Sequence, residues 1–184
     1  MQAGAMGSGF CTFNGLVIAA QALRLNGAKK VGILDMDQHY GDGTENIIKK
    51  LELDYIKHWT LGGSSVNQHN ADEFFENFTE LLEKTFKGCS VILYQAGADP
   101  HVNDPLGGRL TSDQLRLRDH LVFEFCKKNN IGVAFNLAGG YQNPLRKVLD
   151  IHDATLIEAG LTYEIEQEYV DETEHAVIPL NTVA

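Results

Sequence analysis

Asp37, His39, Asp99 and Tyr141 have the types and placement to do chemistry together. They stand in three short segments: Leu34-Asp35-Met36-Asp37-Gln38-His39-Tyr40-Gly41-Asp42-Gly43-Thr44, Gln95-Ala96-Gly97-Ala98-Asp99-Pro100-His101, and Ala138-Gly139-Gly140-Tyr141. Each segment follows an apolar run that reads as a buried strand, so its polar residues fall at the strand's C-terminal end. Open parallel α/β sheets bind ligands along that edge. Residues i and i+2 of a strand point the same way, so Asp37 and His39 can reach one cation together, with Asp99 approaching from a second strand. Three protein ligands leave a fourth position for water or substrate, which is what catalytic zinc requires. Two carboxylates and one imidazole form a harder donor set than most zinc sites, which keeps Fe²⁺ and Co²⁺ as alternatives. The Tyr141 phenol adds a hydrogen-bond donor beside such a centre.

The first segment has a rival reading. Ile33-Leu34-Asp35-Met36-Asp37 resembles the nucleophile strand of haloacid-dehalogenase-type phosphatases, in which the first Asp of an Asp-x-Asp attacks phosphate. There a Gly-Thr or Gly-Val pair follows at once, whereas Gln38-His39-Tyr40 intervenes here. No acidic pair stands downstream where magnesium would need it.

The elements that must position these residues are legible. Asn14 to Asn26 reads as a buried helix, with Gly27 where a C-terminal cap belongs. Lys30 to Met36 supplies a strand too apolar to alternate, as a parallel strand covered on both faces should be. A short helix from Glu45 to Leu51 precedes a strand from Tyr55 to Thr60. Ala71 to Phe86 is amphipathic, its Phe74, Phe75, Phe78, Leu81, Leu82 and Phe86 forming a core-facing stripe. Ser90 to Tyr94 is the third strand. Thr111 and Gln114 make a capping box for a helix ending near Lys128. Ile131 to Leu137 is the fourth strand, and Tyr141 to Glu158 is predicted helical, with Pro144 tolerated in its first turn. This alternation implies an α/β fold of three layers around a mostly parallel sheet.

Bulk properties narrow the classes. A chain of 184 residues with 43% hydrophobic residues can bury one sizeable core. A net charge of −10 argues against direct, sequence-independent nucleic-acid binding and suits a cationic small substrate better. Cys11, Cys89 and Cys126 are too few and scattered for a disulfide framework, which points to a reducing compartment. No apolar run reaches the roughly 20 residues of a membrane span, and the first ten residues lack a signal-peptide pattern. The cytoplasm is the simplest expected location, with no membrane partner. From Leu161 onward the chain carries Glu164, Glu166, Glu168, Asp171, Glu172 and Glu174 and no Lys or Arg, so residues 161–184 read as a solvated acidic tail after a domain spanning 1–160.

At its motifs the chain resembles the histone deacetylase and acetylpolyamine amidohydrolase family. Ser8-Gly9-Phe10-Cys11-Thr12-Phe13-Asn14 matches the family's Gly-Phe-Cys-x-x-Asn segment, and Asp35 to Thr44 matches its Asp-x-Asp-x-His-x-Gly-x-Gly-Thr block. Ala96 to His101 with Asp104-Pro105-Leu106-Gly107-Gly108 matches the third motif, and Gly139-Gly140-Tyr141 the fourth. Leu149-Asp150-Ile151-His152 is similar to the bacterial branches. The resemblance implies an arginase/deacetylase-like fold, with residues 1–160 as the C-terminal portion of the catalytic domain. It implies zinc held by Asp37, His39 and Asp99, and an acyl-lysine tunnel walled by Phe10 beside Gly139 and Gly140. Tyr141 would donate to the carbonyl oxygen of an acetylated lysine or acetylpolyamine.

The chain also departs from the family. A tandem His pair, the general base and acid, should lie at or just before Met1, yet no histidine precedes His39. Asp35 and Asp42 align with the carboxylates that orient that pair, so here they would be catalytic-site acids without partners. The fold is expected to be incomplete on its N-terminal side, and Leu61 to Asn70 is short for the family's rim loop. Two functions follow: a zinc-dependent deacetylase that is weak or inactive as this chain alone, or a non-catalytic metal-binding module. In the second, an exposed sheet edge takes a partner chain or a second copy.

Overall fold

In a computed structural model, which describes residues 13–164, strand and helix alternate as the sequence implies. Four strands, β1 (Val31–Asp35), β2 (Ile56–Thr60), β3 (Val91–Gly97) and β4 (Gly132–Ala138), form a wholly parallel sheet in the order β2-β1-β3-β4. The helices are α1 (Gly15–Leu25), α2 (Asp42–Lys50), α3 (Ala71–Phe86), α4 (Ser112–Lys128) and α5 (Arg146–Tyr163). None is long and apolar enough to cross a membrane.

Side-chain alternation along the strands builds two cores. Val31, Ile33 and Leu93 join Val17 and Ala20 of α1 and Ile47 and Ile48 of α2 on one face. Leu34, Met36, Ile92, Tyr94 and Ala96 meet α3, α4 and α5 on the other. All five residues of β1 are buried, as its unbroken apolar run requires. The α3 stripe holds: Phe75, Phe78, Leu82 and Phe86 are buried, and Phe74 and Leu81 pack against them.

The connections decide where chemistry can sit. From β1 the chain passes through α2 to β2 on one side, then through α3 to β3 on β1's other side. The direction of winding reverses between β1 and β3, and the crevice beyond their C-terminal ends is where such sheets bind ligands.

Several boundaries differ from the sequence reading. Helix α5 starts at Arg146, not Tyr141, because Pro144 biases Asn143 against helical backbone and leaves Tyr141–Leu145 as a loop containing the cis Asn143–Pro144 bond. It continues through Tyr163, past the expected domain limit at residue 160. Helix α2 begins at Asp42, whose charge suits the first turn. Strand β3 runs on to Gly97 because its pairing with β4 continues to Gly97↔Ala138. Strand β4 is not buried: it pairs with β3 alone among the described residues, and Gly132, Ala134, Asn136 and Leu137 are exposed. The capping box on α4 is present, with the Gln114 amide donating to the Thr111 hydroxyl at 3.2 Å.

Candidate metal centre

Asp37 and His39 lie beyond the end of β1, in the bend that follows Asp35, so strand alternation does not align them. Hydrogen bonds to carboxylates do. The Asp37 amide donates to Asp35 Oδ1 at 3.1 Å, the His39 amide to Asp37 Oδ1 at 2.7 Å, and the Gln38 amide reaches Asp99 Oδ1 at 3.1 Å. Three successive N–H groups thereby fold the chain around the carboxylates and tie it to the segment after β3.

The outcome is a compact donor set. One ligand atom from each of Asp37, His39 and Asp99 lies within 4.8 Å of the others. His39 Nδ1 stands 3.1 Å from Asp37 Oδ1 and 3.1 Å from Asp99 Oδ2. The carboxylates are 1% and 0% exposed, and Asp37 Oδ2 and Asp99 Oδ2 have no hydrogen-bond partner among the described residues. Two neighbouring buried anions with unused lone pairs fit a cation. Burial, reinforced by the Asp37 charge, pushes the Asp99 carboxyl well above the usual range.

Asp35 is 3% exposed and is not an orphan. Besides the Asp37 amide it accepts Gln95 Nε2 at 3.1 Å. Burial first, then the Asp37 charge, raises its carboxyl to about 6. Asp42 is half-buried at the start of α2 and its Oδ1 accepts the Gly43 amide at 2.9 Å, so it too has a partner.

The Gly139-Gly140-Tyr141 loop reaches the same place. Gly139 has φ +58°, and a Cβ there would stand 2.5 Å from Asp99 Oδ1, so this backbone lies directly against the ligand. Gly140, at φ +110°, is similarly close to Val148 of α5. The Tyr141 amide donates to Asp104 Oδ2 at 2.7 Å, and Asp104 Oδ1 accepts the Leu106 amide at 2.9 Å. Asp104 is therefore a fastener between two motif loops, a role sequence reasoning did not assign to it. Phe10, the expected tunnel wall, lies outside the described residues.

Sequence reasoning also missed a charged pair in the core. Arg118 and Asp119 are 0% and 1% exposed, on the same face of α4 as Leu115, Val122 and Phe123. Two charges interrupting an apolar stripe were the available signal.

The histone deacetylase domain family model matches residues 3–57. Histone deacetylase 2 of Arabidopsis thaliana is 28% identical over 181 residues, covering 84% of this chain and 45% of that protein. The acetylpolyamine amidohydrolase of Mycoplana ramosa is 36% identical over 102 residues, covering 55% of this chain and 26% of that one. The crystal structure of a histone deacetylase homologue from Aquifex aeolicus superposes with a TM-score of 0.62 at 21% identity, over 86% of this chain and 48% of the other. The chain thus spans about half the length of the first curated relatives it matches.

Proposed function

The chain belongs to the histone deacetylase and acetylpolyamine amidohydrolase family, and from that premise we propose that Asp37, His39 and Asp99 form a zinc site for hydrolysis of an acetyl-amide. The observation that carries this reading is the convergence of two buried carboxylates on one imidazole nitrogen, 3.1 Å from an oxygen of each. Zinc bound there supplies a Lewis acid and lowers the pKa of water it holds; Fe²⁺ or Co²⁺ would serve alike.

The chain's own residues do the rest. Asp37, His39 and Asp99 hold the ion, and Asp35 fixes the bend that presents them. The Tyr141 hydroxyl donates to the substrate carbonyl oxygen as negative charge develops, one half of an oxyanion hole. Gly139, whose backbone lies against Asp99, and Gly140 line the acyl path. Asp42 orients a base supplied from elsewhere. The substrate is an acetylated lysine side chain or an acetylpolyamine, and the remaining ammonium groups of the latter suit a chain of net charge −10. The cytoplasm is the proposed location.

A second reading draws on β4, whose outer edge pairs with no strand among the described residues. There the domain is a non-catalytic metal-binding module that adds a partner strand, or a second copy, at that edge. The two readings separate in an assay of zinc-loaded chain on acetyl-lysine and acetylpolyamine substrates, with Tyr141→Phe as control. The hydrolase reading expects weak, zinc-dependent product formation that falls at least about tenfold in the control. Full zinc loading with no product in either protein favours the module.

A further inference from the structure

The last paired residues of β1 and β3 are Asp35 and Gln95, and beyond them the two segments run on side by side into the candidate metal-binding residues. One side chain touches both segments. Arg118, wholly buried in the middle of α4, donates from Nη1 to the Gly97 carbonyl at 2.6 Å and to the Met36 carbonyl at 3.5 Å. Met36 immediately precedes Asp37, and Gly97 stands two residues before Asp99.

The guanidinium is itself held. Its Nε donates to Asp119 Oδ1 at 2.8 Å, the Tyr94 hydroxyl donates to the same oxygen, and Thr155 Oγ1 of α5 donates to Asp119 Oδ2 at 2.6 Å. Its carbon lies 5.8 Å from the Tyr94 ring centroid. A nearby imidazole extends the same support, because His152 of α5 interacts with the Gly139 backbone.

Packing alone does not account for this arrangement. A leucine at position 118 would continue the apolar face of α4 without the cost of desolvating a charge. What the guanidinium offers is one nitrogen, Nη1, that reaches two carbonyls on different segments while a second, Nε, is anchored on Asp119, a division of labour that a lysine ammonium cannot reproduce. Supports of this kind fix the direction of metal ligands without touching the metal.

We propose that Arg118 is a positioning residue for the metal centre, clamping the two backbone segments that carry Asp37, His39 and Asp99. Asp119, fixed by Tyr94 and Thr155, sets the clamp. The inference rests on the metal-site reading for its purpose, but its mechanical content can be tested without metal.

The experiment compares the full 184-residue chain with Arg118→Lys by amide hydrogen exchange in the metal-free state and by Co²⁺ titration followed in the visible spectrum. Exchange at Asp37, Gln38 and His39 should quicken about tenfold in the variant while Ile56–Thr60 of β2 stays unchanged. Co²⁺ should bind roughly 10–100-fold more weakly, with a shifted visible band. If Arg118→Lys fails to fold by circular dichroism, Asp119→Asn, which keeps the arginine and removes its counter-charge, should show the same changes at about a third of the size. Loop exchange and Co²⁺ spectrum both unchanged in a folded variant would overturn the clamp. A wild-type chain that ignores Co²⁺ overturns the metal site instead, and the exchange data still decide on Arg118.

Discussion

Asp35 carries the sharpest consequence at the scale of single residues. Its folded-state carboxyl sits near 6 against an ordinary 3.8, so between those values the native chain holds a proton that the unfolded chain has released. Stability from this group is therefore fullest in acid and drains away as pH rises through about 6. Half-buried His58 and buried His101 and His152, whose charged forms burial disfavours, pull the other way below 6.5, so the wild-type profile alone is ambiguous. Asp35→Asn isolates the effect, because the amide oxygen can still accept from Asp37 and Gln95. In urea denaturation of the metal-free chain, the variant should gain on wild type between pH 4.5 and pH 7.5, by about 1 kcal/mol or more. A constant difference across that range would mean that Asp35 is not strained by burial. The proximity of the candidate donors was legible at this scale: Asp37, His39 and Asp99 each follow an apolar strand run, and in the fold one donor atom of each lies within 4.8 Å of the others. The fastener Asp104 was not, since its partners are the backbone amides of Leu106 and Tyr141, and the Arg118–Asp119 pair showed only as two charges interrupting the α4 stripe.

Among the elements, loops mattered more than strands and helices. The sequence placed Asp37 and His39 side by side through strand alternation, and they do meet, but in a bend held by amide-to-carboxylate bonds. The helix predicted from Tyr141 begins five residues later, so Tyr141 belongs to a loop, and its backbone amide is held by Asp104. Apolar patterning gave helices α1 and α3, and the Thr111–Gln114 capping box gave α4, nearly to the residue, whereas the Pro144 signal was read as tolerable in a first turn when it marked the end of a loop. Gly139 is the element's most demanding position: its φ of +58° strains any side chain, and a Cβ would strike the Asp99 carboxylate. Gly139→Ala should thus weaken Co²⁺ binding by about tenfold or more, while circular dichroism shows the helices intact. Unchanged affinity would mean that the loop does not press on the ligand.

Over the whole of the described residues the fold is a four-stranded parallel sheet whose reversal of winding falls between β1 and β3, and the proposed metal ligands come from the loops after those two strands. The three-layer α/β class was evident from alternating strand and helix patterns, but the strand order was not, because it depends on crossovers that sequence does not encode locally. The edge position of β4 was equally hidden: Gly132-Val133-Ala134-Phe135-Asn136-Leu137-Ala138 reads as apolar whether one face or both are covered. Site and sheet are therefore one structure, since separating β1 from β3 would scatter the ligands. The most direct test of that claim is a Co²⁺ titration of the wild-type chain beside Asp99→Ala, monitored by visible absorption and by metal content after desalting. One ion per chain, with the intense absorption of a low-coordinate site lost in Asp99→Ala, is the expected result. Failure of the wild type to retain the ion, or equal retention by Asp99→Ala, would contradict the metal centre.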